Sequence, residues 1–193
     1  ELACAPFNSQ EGQDYFSAMQ CAINMSFVNR QTILHRIREV FGQIFKSEPE
    51  KLGLSMVYDV AHNTAKIENH NINGKNKKVI VHRKGATRAF GPGREEIPQK
   101  YRSIGQPVII GGSMETGSYL LLGTETAHNE TFASTANGSG RIMSRTKAKR
   151  IFRGEKLFRD MLNLGIYVKS VSYSGLAEEA GKAYKDIDEV VNA

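Results

Sequence analysis

The sequence predicts an α+β fold, with a long N-terminal helix, mostly antiparallel strands in the centre and helices at the C-terminal end. Two observations predict it. Apolar residues recur at helical spacing before residue 46 and again after residue 140, whereas short apolar runs bounded by Gly, Pro and Asn fill the centre. A doubly wound fold would alternate helices with strands along the whole chain, so segregated elements favour α+β.

The first element is a helix predicted to begin after Ser9 and to run to about Lys46. Serine is a favoured N-cap because its hydroxyl accepts a hydrogen bond from a free backbone N–H of the first turn. Asn29 and Arg30 mark a place where the helix could be interrupted. Apolar side chains recur at helical spacing and are expected to face the core: Phe16, Met19, Ile23, Phe27, Ile33, Ile37, Val40, Phe41 and Ile44.

Several short strands are predicted next. Residues 54–60 are expected to form a buried strand continued by 65–68. Asn73-Gly74 is a strong hairpin signal, with 78–82 as the return strand. Further strands are expected at 107–110, 118–122 and 166–171. The last of these follows a helix predicted for 155–164 and ended by Gly165.

Composition limits the classes of partner. The chain has 193 residues, 40% of them hydrophobic, and 26 Lys and Arg against 20 Asp and Glu, for a net charge of +6. This balance is compatible with a polyanion such as RNA, and equally with a basic protein that has no such partner. No apolar run approaches the roughly 20 residues of a membrane span, so no membrane partner is expected.

The cysteines and the chain ends indicate a cytoplasmic segment. Cys4 and Cys21 are too few for a disulfide framework and lack the spacing of a zinc site. We therefore predict reduced thiols and a cytoplasmic location. The chain starts without Met or a signal peptide and stops within a predicted helix, which suggests a segment of a longer protein.

The first two candidate loops each follow a predicted strand. His62 could ligate a metal through a neutral imidazole and Asn63 could donate to a phosphate, although a structural histidine is the more common explanation for a single His. Gly111 and Gly112, followed by Ser113 and Met114, would allow a backbone to approach a ligand closely. A tight turn explains paired glycines equally simply.

The third loop, residues 137–141, combines Asn137, Gly138, Ser139, Gly140 and Arg141. A helix is expected to start directly behind it, with its N–H groups and dipole favouring an anion, and Arg141 could grip a phosphate. A basic run follows, which would otherwise be a solvated face: Arg145, Lys147, Lys149, Arg150 and Arg153.

Taken together, these motifs closely resemble the RtcB family of RNA-splicing ligases. The matching segments occur in order and at matching spacing: Asp-Val-Ala-His-Asn at 59–63, Val-His-Arg-Lys-Gly-Ala-Thr-Arg-Ala-Phe at 81–90, Gly-Gln-Pro-Val-Ile-Ile-Gly-Gly-Ser-Met at 105–114 and Asn-Gly-Ser-Gly-Arg at 137–141. Shorter matches lie at 2–6, 11–15 and 29–30. The resemblance covers essentially the whole chain, and the combination is specific although each motif alone is not.

The resemblance implies an activity. The family joins RNA ends that carry a 2′,3′-cyclic phosphate or a 3′-phosphate to 5′-hydroxyl ends, using GTP and manganese. A histidine forms a covalent histidine–GMP, GMP passes to the RNA 3′-phosphate, and the 5′-hydroxyl displaces it. RNA such as tRNA halves, guanine nucleotide and an activating protein are the implied partners.

The resemblance also implies roles for individual residues. His62 matches a manganese ligand, Asn63 a nucleotide contact and Lys84 a basic residue near the reacting phosphate. The remaining matches belong to the guanylate site: Gly111, Gly112, Ser113, Met114, Ser118, Gly138, Ser139 and Gly140, followed by Arg141. The chain is accordingly expected to be the C-terminal segment, residues 1–193, of one RtcB-like catalytic domain.

Three departures from the family pattern put activity in doubt. Asn137 stands where the family has its nucleophilic histidine, and an amide nitrogen delocalised into its carbonyl is not a useful nucleophile. The family's other metal ligands and its C-terminal lysine have no counterpart here. Asn137 could be a substitution that traps the enzyme before guanylylation, or the mark of an inactive or repurposed natural member. The alternative function is therefore a non-catalytic module that binds RNA or guanine nucleotide.

Overall fold

The computed structural model describes residues 3–193 and has the predicted α+β composition. Leu2, the first residue of the short motif at 2–6, lies outside the described residues. The helices are α1 Gln10–Phe45, α2 Glu125–Glu130, α3 Arg145–Ile151, α4 Gly154–Asn163, α5 Tyr173–Glu178 and α6 Ile187–Asn192. The strands are β1 Asn63–Ile72, β2 Lys75–Lys84, β3 Ala86–Arg88, β4 Pro107–Ile110, β5 Tyr119–Leu122 and β6 Ser134–Ala136. Short 3-10 turns span Pro49–Leu52, Gln99–Tyr101 and Gly181–Ala183.

The chain forms two compact units. The first unit contains the described residues up to Pro107 together with Gly123–Thr135, and the second contains Val108–Leu122 and Ala136–Ala193. Three two-stranded sheets pair β1 with β2, β3 with β6 and β4 with β5. Among residues 3–193, no helix is both long and apolar enough to cross a membrane.

Helix α1 has the predicted ends. The Ser9 hydroxyl accepts a hydrogen bond from the Gly12 N–H at 3.1 Å. At the other end, Lys46 adopts a left-handed φ of 49° and its N–H donates to the Gly42 carbonyl. The interruption considered at Asn29 and Arg30 does not occur, because the helix is continuous through both residues.

The expectation that the apolar stripe of α1 lies in the core is wrong for most of its length. Ile23 is buried, but the stripe is exposed from Ile33 onward, and Ile44 is 66% exposed. The principal neighbours of α1 are β1 and the Pro49–Leu52 turn, which are too small to cover a helix of 36 residues. Helical spacing identified the helix correctly but could not show that this face has a neighbour.

Removing the α1 cap should measurably destabilise the first unit. Ser9→Ala leaves the Gly12 N–H without its side-chain acceptor, so we expect a loss of about 1 kcal/mol in the free energy of unfolding. Urea unfolding followed by circular dichroism measures it. Ser17→Ala, at an exposed position inside α1, is the matched control and should be neutral or slightly stabilising. Equal effects of the two substitutions would contradict the assigned cap.

The β1–β2 hairpin confirms the turn predicted at Asn73-Gly74. Both residues have positive φ, 53° and 76°, as a two-residue type I′ turn requires. The antiparallel register starts with Ile72 opposite Lys75 and ends with Asn63 opposite Lys84. The hairpin therefore brings two residues 21 positions apart side by side at its open end.

Two predicted strands are absent from the structure. Residues 54–60 form no ladder; instead the Arg38 guanidinium donates to the Leu54 carbonyl at 2.8 and 3.0 Å, and the Tyr101 hydroxyl donates to the Val57 carbonyl. Residues 166–171 also form no strand. Hydrophobic, β-branched runs predict strands only where another strand is available to pair with them.

A buried polar group of the first unit is the Glu68 carboxylate, which contacts both Arg83 and His70. Arg83 donates from both terminal nitrogens to the two oxygens of Glu68, each at 2.8 Å. His70 Nε2 lies 3.0 Å from Glu68 Oε2, and the His70 ring stacks on His128. All three members of the Glu68–Arg83–His70 group are buried, so β1 and β2 are joined by side chains as well as by their ladder.

Candidate functional site

The open end of the β1–β2 hairpin gathers three of the predicted site residues. His62 immediately precedes β1 and is exposed, and its carbonyl accepts a hydrogen bond from the Gly85 N–H at 3.0 Å. Asn63 and Lys84 face each other in the register, and Lys84 Nζ donates to Asn63 Oδ1 at 3.0 Å. Sequence reasoning treated 62–63 and 84 as separate places, and the hairpin brings them together.

These residues line a cavity between α1 and the hairpin. Its volume is about 510 Å³, within the roughly 300–1,000 Å³ of small-molecule sites. Arg30 and His82 also line it, so cationic and imidazole groups dominate its polar surface. The cavity can therefore accept an anionic group beside His62.

A manganese site cannot be assembled from the described residues. Within residues 3–193, no three His, Cys, Asp or Glu side chains lie close enough together to hold a metal ion. A metal in this class of site needs several protein ligands, and His62 supplies one at most. The residues present do not fit the ion, and we derive no step through it.

In the second unit, the predicted glycine loop after β4 is held by short internal hydrogen bonds. The Gly112 N–H donates to Ser118 Oγ at 3.3 Å, and the Ser113 N–H donates to Thr116 Oγ1 at 2.8 Å. A Cβ on Gly112 would lie 2.1 Å from the Gly117 carbonyl oxygen. The loop, including the half-buried Met114, is thus closely folded and has room for glycine alone at 112.

The two predicted glycine loops meet in a parallel bridge between Gly111 and Gly138. The Gly111 N–H donates to the Asn137 carbonyl at 3.2 Å, and the Ser139 N–H donates to the Gly111 carbonyl at 2.8 Å. A Cβ on Gly138 would lie 3.2 Å from the Gly111 oxygen. The Ser139 hydroxyl is buried and has no hydrogen-bond partner among the described residues, so the joined loops retain a polar group that a ligand could satisfy.

Arg141 fastens the end of this loop to the segment after α5. Its guanidinium donates to the Met143 carbonyl at 3.1 Å, to Glu179 Oε2 at 3.2 Å, to the Tyr184 hydroxyl at 2.8 Å and to the Glu178 carbonyl. The guanidinium also lies over the Tyr184 ring, 4.7 Å from its centre. In this conformation Arg141 acts as an anchor of the loop, and a phosphate would have to displace Glu179 to reach it.

Helix α3 differs from the expectation that a helix starts directly behind the loop. It begins at Arg145, and the Ser144 hydroxyl caps it by accepting from the Lys147 N–H at 3.1 Å. Three residues separate Arg141 from α3, and its first turn already has an acceptor. The helix N-terminus is therefore not an open anion site facing residues 137–141.

Carboxylates of the α5 end neutralise part of the basic run. Arg145 pairs with Glu179 at 3.0 Å, and Lys149 pairs with Glu178 at 2.8 Å. Burial raises the pKa of Glu179, but hydrogen bonds from Tyr184 and Arg145 more than offset it, so the pKa lies below its usual value. The cations of the run outside these pairs, Lys147, Arg150 and Arg153, remain for an external polyanion.

Sequence reasoning missed Thr116, Glu179 and Tyr184 as residues that hold the glycine loops. The local signal at this loop is Ser113, whose hydroxyl accepts from the Glu115 N–H two residues on, as in a hydroxyl turn; it does not point to Thr116, which accepts from the Ser113 N–H. Glu179 and Tyr184 are separated from Arg141 by 38 and 43 positions. No local pattern could have identified them.

Known proteins resemble this chain over its whole length. The sequence model of the family "tRNA-splicing ligase RtcB" matches residues 1–193. A tRNA-splicing ligase RtcB of Pyrococcus abyssi is 56% identical over 191 residues, covering 99% of this chain and 21% of the relative. The Archaeoglobus fulgidus protein of the same name is 54% identical over 192 residues, covering 100% of this chain and 40% of the relative.

A third relative is covered to the same extent as the Archaeoglobus fulgidus protein. The tRNA-splicing ligase RtcB of Thermococcus kodakarensis is 52% identical over 191 residues, which are 99% of this chain and 40% of that protein. The chain thus spans about a fifth to two fifths of the length of these curated relatives. More than half of the aligned residues are identical in each case, but most of each relative lies outside the aligned region.

Proposed function

The chain belongs to the tRNA-splicing ligase RtcB family, and on that premise we propose that it is the C-terminal segment of an RNA ligase domain carrying part of the guanylate site. The proposed reaction joins a 2′,3′-cyclic phosphate or 3′-phosphate RNA end to a 5′-hydroxyl end. GTP and manganese serve the complete domain, and RNA, including tRNA halves, is the proposed partner in the cytoplasm. An activating protein is a further proposed partner.

The observation that carries this proposal is the bridge between Gly111 and Gly138. The family resemblance assigns both glycine loops to guanylate, and hydrogen bonds of 3.2 and 2.8 Å hold them together. Ser139 contributes a buried hydroxyl without a partner among the described residues. A side chain at 112 would clash with the Gly117 carbonyl, and a Cβ at 138 would lie in tight contact, 3.2 Å from the Gly111 oxygen. Glycine at both positions keeps the backbone open to close approach of a planar base or a phosphate.

When bound, GTP would supply a guanylyl group, with pyrophosphate as the leaving group. In the complete domain that group would pass through a covalent histidine–GMP to the RNA 3′-phosphate, and GMP would leave as the 5′-hydroxyl attacks. In this chain the proposed role of Asn137 is limited to its position, because an amide cannot attack phosphorus. The backbone carbonyl of Asn137 accepts a hydrogen bond from the Gly111 N–H and so joins the two loops. Arg141 anchors the end of the same loop through Tyr184. Taken by itself, the first unit offers the exposed ammonium of Lys84 to a phosphate.

A chimaera tests the proposal. Residues 1–193 replace the matching 192-residue region of the Archaeoglobus fulgidus relative, once unchanged and once with Asn137→His. Both proteins are incubated with radiolabelled GTP and manganese, denatured and analysed for bound label. We expect acid-labile, protein-bound GMP with Asn137→His and none with the unchanged sequence.

The unchanged chimaera is the matched control, since it differs by one side chain. A third version with Asn137→Gln keeps an amide and should also stay unlabelled. A folded Asn137→His chimaera that forms no covalent GMP would overturn the assignment of this loop. Folding is checked by comparing its thermal melt with that of the unchanged chimaera.

Asn137 also favours a second candidate function, a module that binds RNA or guanine nucleotide without joining ends. Lys147, Arg150 and Arg153, which form no ion pair within residues 3–193, would supply phosphate contacts. Titration of the chain with RNA at several salt concentrations tests it, because each neutralised phosphate steepens the fall of affinity with salt. Affinity that is independent of salt would exclude this function.

A further inference from the structure

A second, smaller cavity lies on the face of the hairpin that carries Lys66. Its volume is about 260 Å³, below the roughly 300–1,000 Å³ of sites for drug-sized ligands, so its occupant is small. It shares Ala61 and Thr64 with the larger cavity that holds His62, Asn63 and Lys84. The two cavities are therefore neighbours within the first unit.

Two cations without carboxylate partners line this cavity. Lys66 and Arg88 form no ion pair with any carboxylate of the described residues. Arg88 donates through Nε to Gln106 Oε1 at 3.0 Å and stacks on the Phe90 ring, which fixes the guanidinium in place. Lys66 has no hydrogen-bond acceptor among residues 3–193 and is half-buried.

The neighbouring carboxylates each pair with another cation, and one oxygen, the buried Asp59 Oδ2, has no hydrogen-bond partner among the described residues. Both oxygens of Glu68 accept from Arg83, and one also contacts His70. At the cavity wall, Asp59 pairs with Arg30 and Glu96 pairs with Arg94. Once these pairs are formed, the positive charges of Lys66 and Arg88 remain uncompensated.

The electrostatic state of Lys66 agrees with this geometry. Burial lowers the pKa of Lys66, and the nearby charge of Arg88 lowers it further. The carboxylate of Glu68 raises it only in part. An anion between the two cations would relieve both their repulsion and their desolvation.

We infer that the cavity lined by Lys66 and Arg88 is a phosphate-binding site next to the His62–Lys84 cavity. A tetrahedral phosphate suits the small volume, the planar Arg88 donor and the ammonium of Lys66. The hydroxyl-bearing residues Tyr58 and Thr64 line the same cavity. The inference rests on the proposed function only for the source of the phosphate, which would be the backbone of a bound RNA.

Nuclear magnetic resonance on the full chain tests the site without any substitution. The lysine side chains are labelled with carbon-13 at the ε position, and inorganic phosphate is titrated at constant ionic strength. We expect the Lys66 signal to move saturably and its pKa to rise. An unmoved Lys66 signal in this titration would overturn the site.

Two variants and two ligands complete the experiment. Lys66→Gln should weaken phosphate binding at least about tenfold by calorimetry. Lys78→Gln, on an exposed part of β2, is the matched control and should change affinity less than about twofold. Equal affinities of the two variants would refute the assignment.

A short oligouridylate without terminal phosphates provides the second ligand. Movement of the Lys66 signal with both ligands supports the site and an RNA backbone as its source. Movement with inorganic phosphate alone supports the site with a free phosphate as its ligand. The test needs neither GTP nor a nucleophile at 137, so failure of the guanylylation chimaera would leave its result unaffected.

Discussion

Glu68→Gln should lower the free energy of unfolding of the first unit by about 3–5 kcal/mol, because it leaves the buried charge of Arg83 without its counterion. Glu68 is 8% exposed and Arg83 is 3% exposed, so water cannot replace the lost carboxylate. The substituted amide would also turn an N–H₂ group toward a guanidinium that can only donate. Urea unfolding at neutral pH measures the loss.

The same carboxylate should make stability depend on pH. Burial raises the pKa of Glu68, but hydrogen bonds from Arg83 and His70 and the charge of Arg83 outweigh it, leaving the pKa below its usual value. A pKa lowered by folding contributes stability above the unfolded-state pKa, and that stability is lost as pH falls through the folded-state pKa. The acid-induced loss should therefore be smaller in Glu68→Gln than in the unchanged chain.

Two comparisons separate charge burial from a general effect of substitution. Glu39→Gln removes an equal charge from an exposed ion pair of α1 and should leave the unfolding midpoint nearly unchanged. Glu68→Gln combined with Arg83→Met removes both buried charges and should recover part of the loss. If Glu68→Gln were no more damaging than Glu39→Gln, the buried pair would not contribute as the structure indicates.

The parts of the fold predicted correctly are those determined by neighbouring residues. Ser9 begins α1 through a hydroxyl three residues from its donor, and Asn73-Gly74 can adopt the positive φ values of a tight hairpin turn. Gly165, with φ of 76°, ends α4 for the same reason. Each signal acts within a few residues, so the sequence alone carries it.

The failed predictions depended on which partner an apolar segment meets. The α1 stripe and the run at 54–60 both have the composition of buried elements. Whether they are covered or paired depends on distant segments: the carbonyls of Leu54 and Val57 are taken by Arg38 and Tyr101 instead of a strand. Spacing and propensity contain no information about that competition.

In the candidate site, too, the features set by neighbouring residues could be predicted and those set by distant contacts could not. A two-residue turn at 73–74 fixes the register, so the meeting of Asn63 with Lys84 follows from the hairpin and could have been inferred in advance. The anchoring of Arg141 by Glu179 and Tyr184 could not, because it requires the packing of α5 against the loop. Local chemistry predicted the loops, and tertiary contacts decide how they are held.

Gly112→Ala should disrupt the joined glycine loops of the second unit. The added methyl would lie 2.1 Å from the Gly117 carbonyl oxygen and 2.5 Å from Thr116 Oγ1, far inside van der Waals contact. Backbone must move to accommodate it, and the adjacent Gly111 carries the bridge to Gly138. We expect a loss of about 3 kcal/mol in unfolding free energy.

Hydrogen exchange of the bridge amides distinguishes this local opening from general destabilisation. The Ser139 N–H donates to the Gly111 carbonyl at 2.8 Å and should exchange faster in Gly112→Ala. The Ala89 amide, which donates to the Ala133 carbonyl at 2.7 Å within the first unit, should be unaffected. Gly117→Ala is the matched control in the same loop, since a methyl there meets nothing within 4 Å. If the two alanine variants exchanged and unfolded alike, close packing at Gly112 would not be what holds the two loops together, and the guanylate site proposed for them would lose its structural basis.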